Sequence, residues 1–382
     1  MRILLALDKF KGSLTAKEAC DAVARGLRRI GCDGPIEICP IADGGEGFTE
    51  AVITALGGEW CSAPVHDAQG REVIAHYGII LRNGHREAVM EMSAASGLAM
   101  VSDLPLNPRT ASTRGTGEMM SHAMKKGARR ILIGIGGSAT NDAGTGMAVE
   151  LGCKFYDESG APVSNLPVEL ERVHSIGKCA DLACDVVVAC DVSNSLLGEH
   201  GCSAIYGPQK GVDDVAWFDA RLRRLSAIVH RDLGSDYREE PGAGAAGGLG
   251  YGLMTFCGAT LQSGFDLVSE LTGLRERLAR ADLVITGEGR LDAQTLDGKG
   301  PIGVAALARR LGVRVIGIGG LVDDNETLRA SFDAVIQAKP SGMPLVEAVA
   351  RAAELLENAV VHHSGLFAQP RAQASALILN AP

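Results

Sequence analysis

The chain has 382 residues, 46% hydrophobic and 22% charged, with a formal net charge of −9. That length points to two domains of ordinary globular composition. The acidic balance and an aromatic content of only 4% exclude a base-stacking nucleic-acid surface and a basic membrane footprint.

Residues 3–7 are a continuous apolar run, the pattern of a strand buried on both faces. The run stops at Asp8-Lys9-Phe10-Lys11-Gly12-Ser13. Thr15-Ala16-Lys17-Glu18 then opens a helix to Arg29 with a capping-box pattern. A second strand over 36–41 ends at Ala42-Asp43-Gly44-Gly45-Glu46-Gly47, and a helix follows to Leu56. In a parallel sheet, ligands bind beyond the carboxyl ends of the strands. Asp8, Lys9, Lys11, Ser13, Asp43 and Glu46 are therefore expected on one rim, the plainer alternative being solvated turns. Over residues 60–92 the rhythm becomes alternating, with a turn at Ala68-Gln69-Gly70, as in an antiparallel hairpin. This is read as entry into a different domain. Glu91 and Ser93 close the next strand beside a cleft, and a helix is expected over 117–126.

Residues 130–135 run into Gly134-Ile135-Gly136-Gly137-Ser138-Ala139-Thr140-Asn141-Asp142-Ala143-Gly144, with a helix expected over 143–151. A strand, glycine loop and helix in that order aim free N–H groups and the positive helix end at an anion. Ser138, Thr140, Asn141 and Asp142 add groups suited to orienting a substrate or holding a divalent cation. A tight turn capped by Asn or Asp fits the same letters; the recurrence of similar loops along the chain favours a ligand. After an antiparallel patch at 154–156, the buried run 185–189 ends in Cys190-Asp191-Val192-Ser193-Asn194. Asp191, partly desolvated at a sheet rim, is the first choice for a general base; an Asx turn is the alternative. Lys210 stands in the constrained turn Tyr206-Gly207-Pro208-Gln209-Lys210-Gly211, and 216–232 reads as an amphipathic packing helix.

The run Pro241-Gly242-Ala243-Gly244-Ala245-Ala246-Gly247-Gly248-Leu249-Gly250 lacks the polar residues of a flexible linker. It suits a backbone wall against a ligand or a close-packed helix entry. A strand over 283–286 leads to Gly287-Glu288-Gly289-Arg290-Leu291-Asp292, a further acidic glycine rim. Lys299-Gly300-Pro301 begins a helix to Leu311, with Pro in its first turn. Strands over 313–318 and 334–337 and a helix over 345–361 follow, and the tail from about Ser364 is expected to be partly ordered at best. The 10 cysteines show neither Cys-x-x-Cys nor zinc spacing; most, such as Cys39, Cys190 and Cys257, read as buried reduced thiols. The opening residues are too short an apolar run for a signal peptide, and no segment reaches the about 18 apolar residues of a membrane span. A cytoplasmic enzyme-sized protein is expected.

Two βα units within 1–60 and three strands with helices from about 281 onward fit one doubly wound parallel sheet. The expected fold is α/β: a discontinuous Rossmann-like domain (1–60 and 281–382) with an inserted mixed α/β domain (61–280). The active site is expected in the cleft between them, where small-molecule sites usually lie.

Taken together, Asp8-Lys9-Phe10-Lys11-Gly12-Ser13-Leu14, Ala42-Asp43-Gly44-Gly45-Glu46-Gly47, the 134–144 loop, Gly207-Pro208-Gln209-Lys210-Gly211, the 241–250 run and Ile285-Thr286-Gly287-Glu288-Gly289-Arg290 resemble the bacterial type-1 glycerate kinase family. The motifs stand in the family's order from Met1 to about Val361. The resemblance implies ATP-dependent phosphorylation of D-glycerate, typically to 2-phosphoglycerate, in small organic-acid catabolism. Ser193 and Ser195 stand where the family usually has Asp and Pro, and Ala143 where it has a second Gly; these departures bear on substrate positioning near Asp191.

For such a reaction Asp191 is assigned as the base toward the glycerate hydroxyl. Lys9, Lys11 and Lys210 are assigned to neutralise the phosphoryl group or the substrate carboxylate. Asp8, Ser13, Gly136, Gly137, Ser138, Thr140, Asn141, Gly247 and Gly248 are expected to bind substrate or phosphate, the last two as part of the amide-lined 244–248 loop. Asp43, Glu46, Glu288 and Asp292 are the candidates for Mg2+, which favours one or two carboxylates with phosphate and water oxygens. The expected partners are D-glycerate and nucleotide, with no nucleic acid and no membrane, in a monomer or homodimer. Two rivals are a nicotinamide-dependent dehydrogenase, against which no Gly-x-Gly-x-x-Gly opens the first helix, and a non-catalytic sugar-acid sensor.

Overall fold

The computed structural model describes residues 1–293, 295, 300–368 and 378–380. The expectations for Lys299, and for the tail at 369–377 and 381–382, lie outside them. The strands are β1 (Ile3–Leu7), β2 (Ile36–Ile38), β3 (Glu59–His66), β4 (Glu72–Arg82) and β5 (His85–Glu91). Next come β6 (Ala128–Gly134), β7 (Phe155–Tyr156), β8 (Pro162–Val163), β9 (Ser175–Ile176) and β10 (Asp185–Ala189). β11 (Thr260–Gln262), β12 (Leu283–Leu291), β13 (Arg314–Val322), β14 (Ala334–Gln337) and β15 (Ile378–Asn380) complete the set. Two compact units emerge. The first comprises Met1–Asp43, Glu50–Gly57 and Phe265–Pro382; the second comprises Gly44–Thr49 and Gly58–Gly264.

The first unit is built on a parallel sheet in the order β15-β14-β13-β12-β1-β2. Every residue of β1 is buried, because the side-chain period of two sends alternate residues into two cores. Ile3, Leu5 and Leu7 pack with Ala19, Val23 and Leu27 of the helix Ala16–Arg29 and with Leu356 and Val360 of the helix Ala352–His362. Leu4 and Ala6 join Val304 and Ala308 of the helix Pro301–Leu311 on the other face. Each fully buried aliphatic side chain of this kind contributes about 1.5–3 kcal/mol. The helix Ala16–Arg29 opens with the expected capping box, Thr15 Oγ1 accepting from Glu18 N and the Glu18 carboxylate from Thr15 N.

Some boundaries differ from the sequence reading. β2 ends at Ile38, although Cys39 and Ile41 still donate N–H bonds to Leu5 and Leu7. β12 continues to Leu291, so Glu288 stands in a strand paired with Gly319 rather than in a turn. The helix expected over 345–361 is broken at Arg351 into Leu345–Ala350 and Ala352–His362. β15, a strand in the tail that short local pattern does not reveal, pairs with β14.

The second unit carries a mixed sheet, β11-β10-β6-β5-β4-β3, and a small sheet, β8-β7-β9. β11, β10, β6 and β5 run parallel, while β5, β4 and β3 form the antiparallel meander expected from the alternating pattern. Met90, Ile131, Ile133, Val186 and Val188 form its core with Met119, Met120 and Ala123 of the helix Arg114–Lys125. Cys153 and Cys179 are joined in a disulfide, whereas Cys39, Cys190 and Cys257 are free thiols. Among the described residues no helix is long and apolar enough to cross a membrane.

Candidate active site

In the first unit, an acidic group forms where β1 ends beside Gly287 of β12. Asp8 follows β1 directly and is only 6% exposed. Its Oδ1 accepts the Lys9 N–H at 2.6 Å, and Lys9 Nζ lies 3.6 Å from Asp43 Oδ1 and 4.0 Å from Asp8 Oδ1. Burial pushes the Asp8 carboxyl up to about 6; Lys9 opposes the shift and Asp43 adds to it. Burial likewise pushes Glu288 up to about 7, with a hydrogen bond from Thr295 opposing and the charges of Asp8, Asp292 and Asp43 adding. Asp8 and Glu288 thus lie partly dehydrated among further negative charge. Lys11 is exposed. Ser13 donates to the Phe10 carbonyl within its own turn. Asp292 is held by Arg290 at 3.2 Å and bonds locally with Thr295.

In the second unit, glycine motifs far apart in sequence meet backbone to backbone. Gly134, the last residue of β6, lies so close to the 44–49 loop that a Cβ there would stand 2.3 Å from the Gly44 carbonyl oxygen. Gly45 lies similarly against Gly136. Glu91, ending β5 beside Gly134, accepts the N–H groups of Gly47 and Thr49. Glu46 is exposed on this loop.

The 134–144 loop is held from below. Asp142, fully buried, accepts from Thr113 N and Oγ1 and from the N–H groups of Gly144 and Gly146 at 2.8–3.2 Å. Its oxygens organise the fold, and the helix starts at Thr145 rather than 143. In the sequence Thr113 shows only as part of a helix start; no local pattern links it to Asp142. Asn141 donates to Ser203 Oγ at 2.9 Å.

Lys210 is also built in. It is 2% exposed, and its Nζ donates to Thr140 O at 2.7 Å and Ser138 Oγ at 3.2 Å. Desolvation lowers its pKa to about 8, against the pull of Cys202 and Asp142. The 241–250 run resolves as a close-packed helix entry: a Cβ on Gly247 would stand 1.9 Å from Thr140 O, and its φ is +68°. Gly136, Gly137, Ser138, Thr140, Asn141, Lys210, Gly247 and Gly248 thus belong to one contiguous assembly. Asp191 follows β10 and is exposed rather than desolvated, with Oδ2 accepting the Gly264 N–H at 3.2 Å.

A recess of about 850 Å3 in the same unit is lined by Arg130, Lys178, Cys184, Tyr237 and Cys257 among others, and none of the expected site residues borders it. Among the described residues no three acidic, imidazole or thiol groups are placed to hold a metal ion by themselves.

The profile of the Glycerate kinase family matches residues 3–366. The chain belongs to that family. It is 41% identical over 365 residues to the glycerate kinase of Bacillus subtilis (strain 168), covering 94% of this chain and 95% of the relative. It is 41% identical over 333 residues to the glycerate 2-kinase of Escherichia coli (strain K12), covering 85% and 86%. A crystal structure bearing the name glycerate kinase 2, from Salmonella typhimurium LT2, superposes with a TM-score of 0.85 at 40% identity, covering 96% of this chain and 98% of the other. The glycerate kinase fold is accordingly shared along nearly the whole chain. The protein is an enzyme, and membership of a kinase family implies ATP as co-substrate.

Proposed function

We propose that this enzyme transfers the terminal phosphoryl group of ATP to the 2-hydroxyl of D-glycerate, giving 2-phosphoglycerate. The observation that carries the reading is the family match together with the convergence of the 44–49, 134–144 and 241–250 segments in one unit. The choice of the 2-hydroxyl follows the name of the Escherichia coli relative, glycerate 2-kinase.

Phosphoryl transfer needs positioning and charge neutralisation more than covalent chemistry. Asp191 accepts the proton of the substrate hydroxyl. Lys9 and Lys11 offset negative charge on the phosphoryl group or the glycerate carboxylate, and Ser13 lies in the same turn. Lys210, whose donors already hold Thr140 and Ser138, shapes the loop and lends it positive potential. The amides of 136–140 and 244–248, together with Asn141, line the phosphate or substrate path.

Asp8, which shares its surroundings with Asp43 and Glu288 as well as with Lys9, is assigned in this reading to the cation side, with Asp43, Glu46, Glu288 and Asp292. Hard oxygen donors with surplus negative charge fit Mg2+, which needs only one or two carboxylates when nucleotide phosphates and water complete its shell. When bound, Mg2+ would neutralise phosphate charge; Asp43 and Glu288 would hold it. The setting proposed is small organic-acid catabolism in the cytoplasm, by a monomer or homodimer.

The test is one incubation of purified enzyme with ATP, Mg2+ and D-glycerate, the product resolved by phosphorus NMR. 2-Phosphoglycerate is the expected product; 3-phosphoglycerate would overturn the choice of hydroxyl, and no turnover would overturn the reading.

A further inference from the structure

We propose that Glu91 is a positioning residue that clamps the acidic glycine loop 42–47 for catalysis; this rests on the kinase reading above. The loop carries Asp43 and Glu46; Lys9 Nζ lies 3.6 Å from Asp43 Oδ1, and Phe48 N–H donates to the Gly45 carbonyl at 3.2 Å. Gly44 and Gly47 both adopt left-handed backbone, φ +84° and +92°, and glycine surrenders more conformational freedom on ordering than any other residue. A loop of this composition needs an outside anchor to present two carboxylates reproducibly.

Glu91 supplies it. The residue ends β5, whose partner at that register is Gly134 of β6, so its backbone is fixed by the sheet. Oε1 accepts the Thr49 N–H at 2.8 Å and Oε2 the Gly47 N–H at 3.2 Å. Oε2 also lies 3.5 Å from Ser93 Oγ, at the limit of a hydrogen bond. Gly47 and Thr49 flank Phe48, the first residue of the helix Phe48–Leu56. Those N–H groups are among the donors a helix start leaves without an intrahelical acceptor, and a carboxylate is their strongest partner. One side chain thus closes the loop's exit, while the Gly134 and Gly136 backbones hold its entry at Gly44 and Gly45.

Both carboxylate oxygens bond the loop's amides, and the proposed contribution of Glu91 to turnover runs through the placement of Asp43 and Glu46. Glu91→Gln keeps the shape and one acceptor oxygen but presents an NH2 group that cannot accept from an amide. It opens one of the two bonds without emptying the space.

The experiment combines hydrogen exchange by mass spectrometry on the 42–52 segment with steady-state kinetics, for wild type, Glu91→Gln and Glu91→Ala. Expected are exchange at least about 10-fold faster at Gly47 or Thr49 in Glu91→Gln with β6 unchanged, and a kcat about 10- to 100-fold lower. The KM values for ATP and D-glycerate should stay within about 3-fold, because the loop is displaced rather than a substrate contact removed. Glu91→Ala should show both effects more strongly; if it does not fold, Glu91→Gln alone decides. Unchanged exchange overturns the clamp, whether or not kcat falls, and a fall without faster exchange would put Glu91 on the substrate itself. Faster exchange with wild-type kinetics overturns the catalytic importance of the loop's position. Failure of the kinase reading is told apart by wild type, which would then turn over no D-glycerate while the exchange data still report on the clamp.

Discussion

Asp8, directly after β1, and Glu288, in the neighbouring β12, lie at the same end of the parallel sheet, and burial raises both carboxyls, to about 6 and about 7. Their unfolded values are 3.8 and 4.5, so between pH 4 and 7 the folded state binds more protons than the unfolded one. Their contribution is therefore greatest in acid and is lost as pH rises through 6 to 7. Asp8→Asn and Glu288→Gln, neutral at every pH, should match wild type near pH 4 and exceed it at pH 8. The gain should be on the order of 1–3 kcal/mol, a pKa unit being worth about 1.4 kcal/mol. Melting temperatures of the ligand-free proteins across that range check it, and equal curves for wild type and variants would refute it. The same variants should lose activity, since the repelling charges are what a cation would compensate. Asp191 differs: it is exposed, with one oxygen accepting from Gly264, so a substrate hydroxyl can reach it from solvent. Asp191→Asn should lower kcat about 10²- to 10⁴-fold with substrate affinities little changed. Near-normal turnover in a rapid-quench assay would remove it from the base role.

At the scale of elements, the glycines separate into those that need backbone freedom and those that need space. Gly258 ends the helix Ala245–Cys257 at φ +61°, and a Cβ added there would meet nothing within 4 Å, whereas Gly247, at φ +68°, faces Thr140 O at 1.9 Å. Gly258→Ala should therefore cost only the left-handed penalty of about 1–2 kcal/mol. Gly247→Ala adds overpacking of about 1–3 kcal/mol and should displace the 138–140 loop, lowering kcat as well. Urea denaturation of the two variants, alongside their kinetics, separates the cases; equal costs would mean that close packing at Gly247 is not what selects glycine. Seen this way, three glycine motifs that each look like a ligand loop are partly one another's packing partners. The capping box of the helix Ala16–Arg29 needs no such context, because donor and acceptor lie three residues apart.

For the whole molecule, the acidic groups and the net charge of −9 set the terms on which an anionic nucleotide binds. ATP with Mg2+ at about 100 times its Kd should stabilise the protein by about 2.7 kcal/mol. ATP with excess EDTA should stabilise it far less, because phosphates would then face Asp8, Asp43 and Glu288 uncompensated. Calorimetric melting with and without chelator reads this directly; equal shifts would argue against a cation role for these carboxylates.

Much of the architecture is legible in local pattern. The doubly buried run of β1, the alternating β3–β4 hairpin, the bounds of β10 and β14 and the capping box all follow from side-chain period and short-range hydrogen bonding, which neighbouring letters encode. The family, too, is legible, since its motifs stand in order along the chain. What the letters leave open are properties of encounter. Lys210 reads as a charge available to a ligand and is a buried strut; Asp142 reads as a candidate ligand and is spent on Thr113; Asp191 reads as desolvated and is exposed. Whether a carboxylate or an ammonium keeps its charge available depends on which distant backbone folds against it, and only the tertiary structure decides that.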